Sequence, residues 1–277
     1  MRLRTSITAS LATLALGTSL GLVATSTAAP GGAHRVPAPP TSPTSADQIQ
    51  NIDQVRTAIK GYYGDTLTDE VDPYAGDGKD VKLHTFAPDG AYAQEVGDLT
   101  ATASTYLSRK VKHPAKLDGK PAIILDVDDT TLNTYDYEIY SNFAYDPTVN
   151  AAFVNAAVFP AVPTMPALVK RAAAQGVEVF YLTGRPEAQR DGTRTNLTNA
   201  GYATPADDHL FLKDQSLPWL SSCTPGCSSA QYKALTRAHL ESEGFDIVGN
   251  FGDQPSDFTG GYADRTFKLP NPMYYIP

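Results

Sequence analysis

The stretch Ala122-Ile123-Ile124-Leu125-Asp126-Val127-Asp128-Asp129-Thr130-Thr131-Leu132 decides the fold: an apolar run ends in three carboxylates and two hydroxyls. Ala122 to Leu125 is short, β-favouring and preceded by Gly119-Lys120-Pro121, the pattern of a strand buried on both faces of a parallel sheet. Ligands in such α/β sheets bind beyond the carboxyl ends of the strands. With the chain extended through Val127, Asp126 and Asp128 point to the same side about 7 Å apart, two strand rises. That gap accommodates a phosphoryl group. Taken alone, the segment reads equally well as a solvated acidic turn.

Chemistry recurs where later strands stop. Val177 to Leu182 predicts a strand ending in Thr183-Gly184-Arg185-Pro186. Thr183 offers a hydroxyl, Gly184 lets a backbone amide approach closely, and Pro186 can open a helix whose amino end favours an anion. Together they suit a phosphate. Arg185 either contacts a substrate or forms a surface ion pair. His209 to Leu212 predicts a short third strand. A helix capped by Ser228 or Ser229 runs through Lys233 to about Glu243. Lys233 sits near its start, against the helix dipole, as an ordinary exposed lysine or as one held for a purpose. Ile247 to Phe251 predicts another strand, followed by Gly252-Asp253-Gln254-Pro255-Ser256-Asp257. A helical turn there puts Asp253 and Asp257 on one face, a carboxylate pair suited to a hard cation. Thr266 to Leu269 predicts a final strand before a Pro-rich aromatic tail.

The rest of the chain bounds the class of protein. Its 277 residues can bury a substantial core. Acidic residues outnumber basic ones, 30 to 22, for a net charge of −8. No dense Lys/Arg run is present, so a nucleic-acid partner is not expected. Residues 1–29 begin with Arg2 and Arg4, continue through a Leu/Ala-rich apolar run and end in small residues, which predicts a signal peptide and secretion. Once it is cleaved, no membrane association is expected. Residues 30–44 predict a Pro-rich disordered linker. Residues 45–277 predict a single domain: a helical lead-in over 45–118 and a core over 119–277.

Within the lead-in, capping-box spacing at Ser45 and apolar residues at helical intervals predict a helix from about Ala46 to Tyr63. The acidic stretch that follows, with Asp65, Asp69, Glu70, Asp72, Asp77 and Asp80, lacks calcium-loop spacing and predicts a solvated loop. A second amphipathic helix spans Tyr92 to Leu107. Tyr135, Tyr137, Tyr140, Phe143 and Tyr145 line a pocket or fill a core. Helices are predicted over Phe153 to Val158 and from Met165-Pro166 to Gly176. The two cysteines, Cys223 and Cys227, flank a Pro-Gly turn and predict a disulfide. The five histidines form no cluster, so no zinc site is expected. The sequon Asn196-Leu197-Thr198 falls within a predicted helix and is expected to carry no glycan.

Asp126-x-Asp128-x-Thr130, Thr183-Gly184-Arg185, Lys233 and Gly252-Asp253-x-x-x-Asp257 resemble, in order, the four motifs of the haloacid dehalogenase (HAD) superfamily. Tyr181 to Arg185, Tyr232-Lys233, Ile247 to Asp257 and Phe267 to Pro277 look like the secreted acid phosphatases of class B type and the plant vegetative storage proteins. The resemblance covers about Pro121 to Pro277. It implies a Rossmann-like parallel sheet with helices on both faces, preceded by the helical segment, together with an Mg²⁺ cofactor and an aspartyl-phosphate intermediate.

In that scheme Asp126 is the nucleophile and Asp128 the general acid and base. Thr183, Gly184 and Lys233 bind the phosphate. Asp126, Asp253 and the main-chain carbonyl of Asp128 hold the metal, and Asp257 orients the metal shell or Lys233. An acid/base carboxylate at Asp128 favours a phosphatase or phosphotransferase; the expected reaction is hydrolysis of a small phosphate monoester, and the resemblance suggests an acidic optimum. Two alternatives stay open: a storage or phosphate-binding protein on the same scaffold, and a phosphotransferase to acceptor alcohols. Natural substrate and oligomeric state are not legible.

Overall fold

The computed structural model of the protein describes residues 41–71, 82–223 and 226–277. The segment predicted to be a signal peptide, most of the predicted Pro-rich linker, and Asp72, Asp77 and Asp80 lie outside the described residues. The chain forms two compact units, residues 1–49 and 50–277. In the first, the described residues carry one 3-10 turn, Ala46–Gln48, and Ser45 makes no capping bond. The first long helix therefore starts later than its sequence predicts. Asn51 accepts hydrogen bonds from the N–H groups of Asp53 and Gln54 and opens α1 (Ile52–Tyr63), which Gly64 ends at a φ of 67°.

The acidic stretch is a second correction. Thr66–Val71 is a strand, β1, paired antiparallel with β2 (Lys82–Thr85). Its carboxylates do face water, and Asp69 pairs with Lys82 at 2.8 Å. Five of its six residues are exposed, so the in-out alternation that marks a strand is missing.

The chain continues through α2 (Ala91–Lys110), β3 (Lys120–Leu125), α3 (Tyr135–Tyr140), α4 (Pro147–Ala156), α5 (Met165–Ala174), β4 (Glu178–Pro186) and α6 (Arg190–Asn199). It finishes with β5 (Leu210–Lys213), α7 (Ser229–Ser242), β6 (Phe245–Gly252) and β7 (Thr266–Lys268). α4 starts earlier than expected because Asp146 caps it and Pro147 fits its first position. β4 runs on through Thr183-Gly184-Arg185, and a 3-10 turn, Glu187–Gln189, separates it from α6, so no helix opens at Pro186 itself. Asn196 lies in α6 with its amide bonded to the backbone of Phe159, which buries the asparagine of the sequon.

The main sheet is five-stranded and wholly parallel, in the order β5-β4-β3-β6-β7. Alternate residues of β3 feed two cores. Ile123 and Leu125 pack with Val96 and Leu107 of α2 and Leu168 of α5, whereas Ala122 and Ile124 pack with Tyr232 and Leu240 of α7. Helices thus cover both faces, and each such buried aliphatic side chain contributes about 1.5–3 kcal/mol. Tyr63 of α1 stacks on Tyr92 and on Tyr135, both at 4.4 Å, so the lead-in helices pack on the same body. A disulfide joins Cys223 and Cys227 beside α7. Among the described residues no helix is long and apolar enough to cross a membrane. The strand that follows β3 lies on one side of it and β6 on the other, which opens a crevice at the carboxyl ends of these strands.

Candidate active site

β3 and β6 leave the sheet together: the Asp126 N–H donates to the Phe251 carbonyl at 3.0 Å. Their carboxyl ends therefore bring Asp126 and Asp253 into one cavity of about 420 Å³. Lys233 of α7 reaches the same floor and donates to both Asp126 and Asp257. Asp257 is fixed from its other oxygen, which accepts the N–H groups of Asp253 at 2.9 Å and Gln254 at 2.7 Å. Asp253 accepts from Thr130 Oγ1 at 3.1 Å and from Gln254 Nε2 and Asn271 Nδ2, both at 2.7 Å. Asp126 Oδ2 takes no hydrogen bond among the described residues.

Gly252 is what lets Asp257 fold in so closely. A Cβ at Gly252 would lie 2.4 Å from Asp257. The Arg237 side chain, also on α7, donates to the carbonyls of Asp257, Thr259 and Gly261 and so pins the loop from behind.

The donor set suits a hard divalent cation. Oxygens of Asp126, Asp253 and Asp257, all buried, come within 4.8 Å of one another, with no sulfur or imidazole among them. Burial pulls the Lys233 ammonium down, but the Asp126 and Asp257 carboxylates outweigh it and the net direction is up, so Lys233 stays charged. Burial, with Asp257 adding repulsion, pushes the Asp253 carboxyl up to about 6 against the opposing bonds from Asn271 and Gln254.

Asp128 forms the adjoining wall. Arg185 holds its carboxylate with two prongs, Nε at 3.0 Å from Oδ2 and Nη2 at 2.7 Å from Oδ1, and Arg185 Nη1 donates to Thr193 at 2.9 Å. Arg185 is only 4% exposed, so the sequence's surface ion pair is an inward one. Gly184 lines the cavity, whereas Thr183 lies beneath the wall, where its hydroxyl accepts the Arg185 N–H at 3.1 Å. Asp129, at a φ of 52°, turns the chain away, and its carboxylate accepts the Thr134 N–H at 3.1 Å.

The rim is aromatic. Tyr137, Phe143, Tyr145 and Tyr275 line it, while Tyr135 belongs to the core, so the tyrosine-rich segment serves both purposes left open by its sequence. Phe143 sits at a φ of 60° with its N–H on the Glu138 carbonyl at 2.8 Å. Glu138 also lines the cavity, and burial followed by repulsion from Asp128 raises its carboxyl to about 7.

Sequence reading missed three supports of this site: the Arg185 clamp on Asp128, Asn271 on Asp253, and Glu138. Asn271 falls within the family-like Lys-Leu-Pro-Asn-Pro tail, which was the available signal. Glu138 gave none.

Residues 81–277 match a family model described as HAD superfamily, subfamily IIIB (acid phosphatase). The chain is 39% identical over 166 residues to acid phosphatase 1 of Solanum lycopersicum, which covers 57% of this chain and 60% of that relative. It is 35% identical over 162 residues to a stem 28 kDa glycoprotein of Glycine max, covering 57% of this chain and 61% of the relative. With vegetative storage protein 2 of Arabidopsis thaliana the identity is 32% over 160 residues, and 56% of each chain is covered. The chain thus spans about 60% of the length of the first two of these curated relatives. A solved class C acid phosphatase from Bacillus anthracis superposes with a TM-score of 0.56 at 25% identity, over 68% of this chain and 80% of that one.

Proposed function

The chain belongs to subfamily IIIB of the HAD superfamily, the acid phosphatase family, and on that premise we propose that it is a secreted, Mg²⁺-dependent acid phosphatase acting through an aspartyl-phosphate. The observation that carries the reading is the floor of the cavity, where Lys233 stands between Asp126 and Asp257 beside Asp253.

Asp126 attacks the phosphorus of a phosphate monoester, and the bond from phosphorus to the alcohol oxygen breaks. Asp128 gives its proton to the departing alcohol and becomes the carboxylate that Arg185 is placed to stabilise. Asp128 next takes a proton from water as that water attacks the phosphorus. This returns the Asp126 carboxylate and releases inorganic phosphate. Lys233 and the Gly184 backbone hold the equatorial oxygens, with Thr183 supporting the Arg185 backbone from beneath, and this positioning of charge is the main source of rate in phosphoryl transfer. Asp126, Asp253 and the Asp128 carbonyl would hold Mg²⁺, whose charge offsets repulsion between the carboxylate and an anionic phosphoryl group. Asp257 keeps Lys233 in place. Residues 1–29 and the disulfide support an oxidising, extracellular location.

The test is release of the alcohol from 4-nitrophenyl phosphate by purified mature protein, with Mg²⁺ or with chelator, beside Asp126→Asn. Turnover that requires metal and vanishes in the variant is expected. A folded protein with no turnover at acid, neutral or alkaline pH would instead favour a storage role, which the name of the Arabidopsis relative suggests. Adding acceptor alcohols and comparing free phosphate with alcohol product separates hydrolysis from phosphotransfer.

A further inference from the structure

Each aspartate lining the cavity has a partner: Asp126 and Asp257 share Lys233, Asp128 has Arg185, and Asp253 has Thr130, Gln254 and Asn271. Glu138 is the exception. It is 6% exposed, lines the same cavity, and its carboxyl makes no hydrogen bond or ion pair among the described residues. A charged group buried to that degree is ordinarily paired.

The surroundings of Glu138 supply no cation, because the two that face the cavity, Lys233 and Arg185, are held by the aspartates. They supply aromatic rings instead. Tyr137, Phe143, Tyr145 and Tyr275 line the cavity with it, and Phe143 is kept there by a left-handed backbone that a bulky residue seldom adopts. The hydrogen bond from the Phe143 N–H to the Glu138 carbonyl ties that ring to the helix carrying the carboxyl. Aromatic faces beside a carboxylate are the chemistry that receives an ammonium group. A phosphate bound on the floor adds negative charge, so a group filling the space between floor and rim is favoured if it is positive.

We propose that Glu138, with the aromatic rim, is a specificity-determining site for the alcohol part of the substrate, and that it selects phosphate monoesters whose alcohol carries a cationic nitrogen. The inference rests on the phosphatase reading and adds the substrate class to it. A protonated amine and a quaternary ammonium share the required charge. The amine additionally donates hydrogen bonds to Glu138, whereas the quaternary group relies on the ring faces.

The test is run above pH 7, where the Glu138 carboxyl carries its charge, and compares KM for choline phosphate with that for its uncharged isostere, in which carbon replaces the nitrogen, and KM for ethanolamine phosphate with that for propyl phosphate. The wild-type enzyme is expected to show a KM about tenfold lower for the charged member of each pair, and the ratio should fall to about one in Glu138→Gln. A preference confined to ethanolamine phosphate assigns the site to amines, and one seen in both pairs extends it to quaternary ammonium. Equal KM values within both pairs in the wild-type enzyme, with 4-nitrophenyl phosphate still hydrolysed, overturn the cation site and leave the phosphatase reading standing. A preference that survives in Glu138→Gln overturns the role of Glu138. Failure of every ester, the aryl phosphate included, overturns both readings.

Discussion

On the floor of the cavity each charge meets an opposite charge or a fixed hydrogen-bond donor, whereas on the rim the Glu138 carboxyl meets neither among the described residues. The floor is made by strand ends, whose spacing the parallel sheet dictates, and by Lys233 of the helix packed beneath them. The rim is made by a six-residue helix, a left-handed turn and the tail of the chain. The difference teaches which part can vary. Phosphate chemistry is built into the sheet, and discrimination among alcohols is left to segments that the sheet does not constrain.

The largest effect that would break this contrast is on the floor. Asp126→Asn keeps the shape of the nucleophile and removes its charge, and kcat is expected to fall by at least about 10³-fold. Thermal and denaturant unfolding of the same variant then check that the fold survives. Lys233→Met leaves Asp126 and Asp257 facing each other without a cation, and denaturant melts should register a loss of about 3–5 kcal/mol. Arg185→Lys retains the charge and loses the two-pronged grip on Asp128, a change expected to lower kcat by about 10- to 100-fold.

Rim substitutions should be milder and, at Glu138, opposite in sign. Burial and Asp128 raise its carboxyl from 4.5 to about 7. The unfolded chain therefore ionises first, and the wild-type protein loses stability as pH climbs through that window. Glu138→Gln does not titrate, so it should gain on the wild type between those pH values, by about 3 kcal/mol once both forms have ionised. Urea melts at pH 4.5 and above pH 7 measure the difference, and an unchanged gap between the two proteins would remove the distinction between floor and rim. Tyr275→Ala, at a side chain that is largely exposed, should move stability by no more than about 0.5 kcal/mol.

Legibility in the sequence follows the same division. Asp126, Asp128, Gly184, Asp253 and Asp257 could be read because each is a distinctive residue at or just beyond the point where an apolar run stops, and the parallel sheet gathers such places; Lys233 could be read from its place near the start of a helix and from the family motif. Their partners could not be read. Asp126 and Lys233 are 107 residues apart, and Thr130 and Asp253 are 123 apart, so those pairs exist only once α7 has packed on β3 and β6 has taken its place beside it. Glu138 was invisible because α3 is too short for a helical period to show which face is buried. The β1–β2 pair was missed because exposure of nearly all of β1 erases the period of two. The start of α1 slipped because Ser45 and Asn51 both look like caps and only tertiary packing chooses between them.

Gly252 has no functional group, yet the volume where its side chain would begin is already filled by Asp257. A survey of all single substitutions should therefore find this position as intolerant as the nucleophile, with alanine rejected as firmly as tryptophan. Maps of mutational tolerance would mark the two residues alike, one for what it does and the other for the room it leaves. Separating them needs a compensating change: shortening the neighbour, as in Asp257→Gly, should restore folding to Gly252→Ala without restoring turnover.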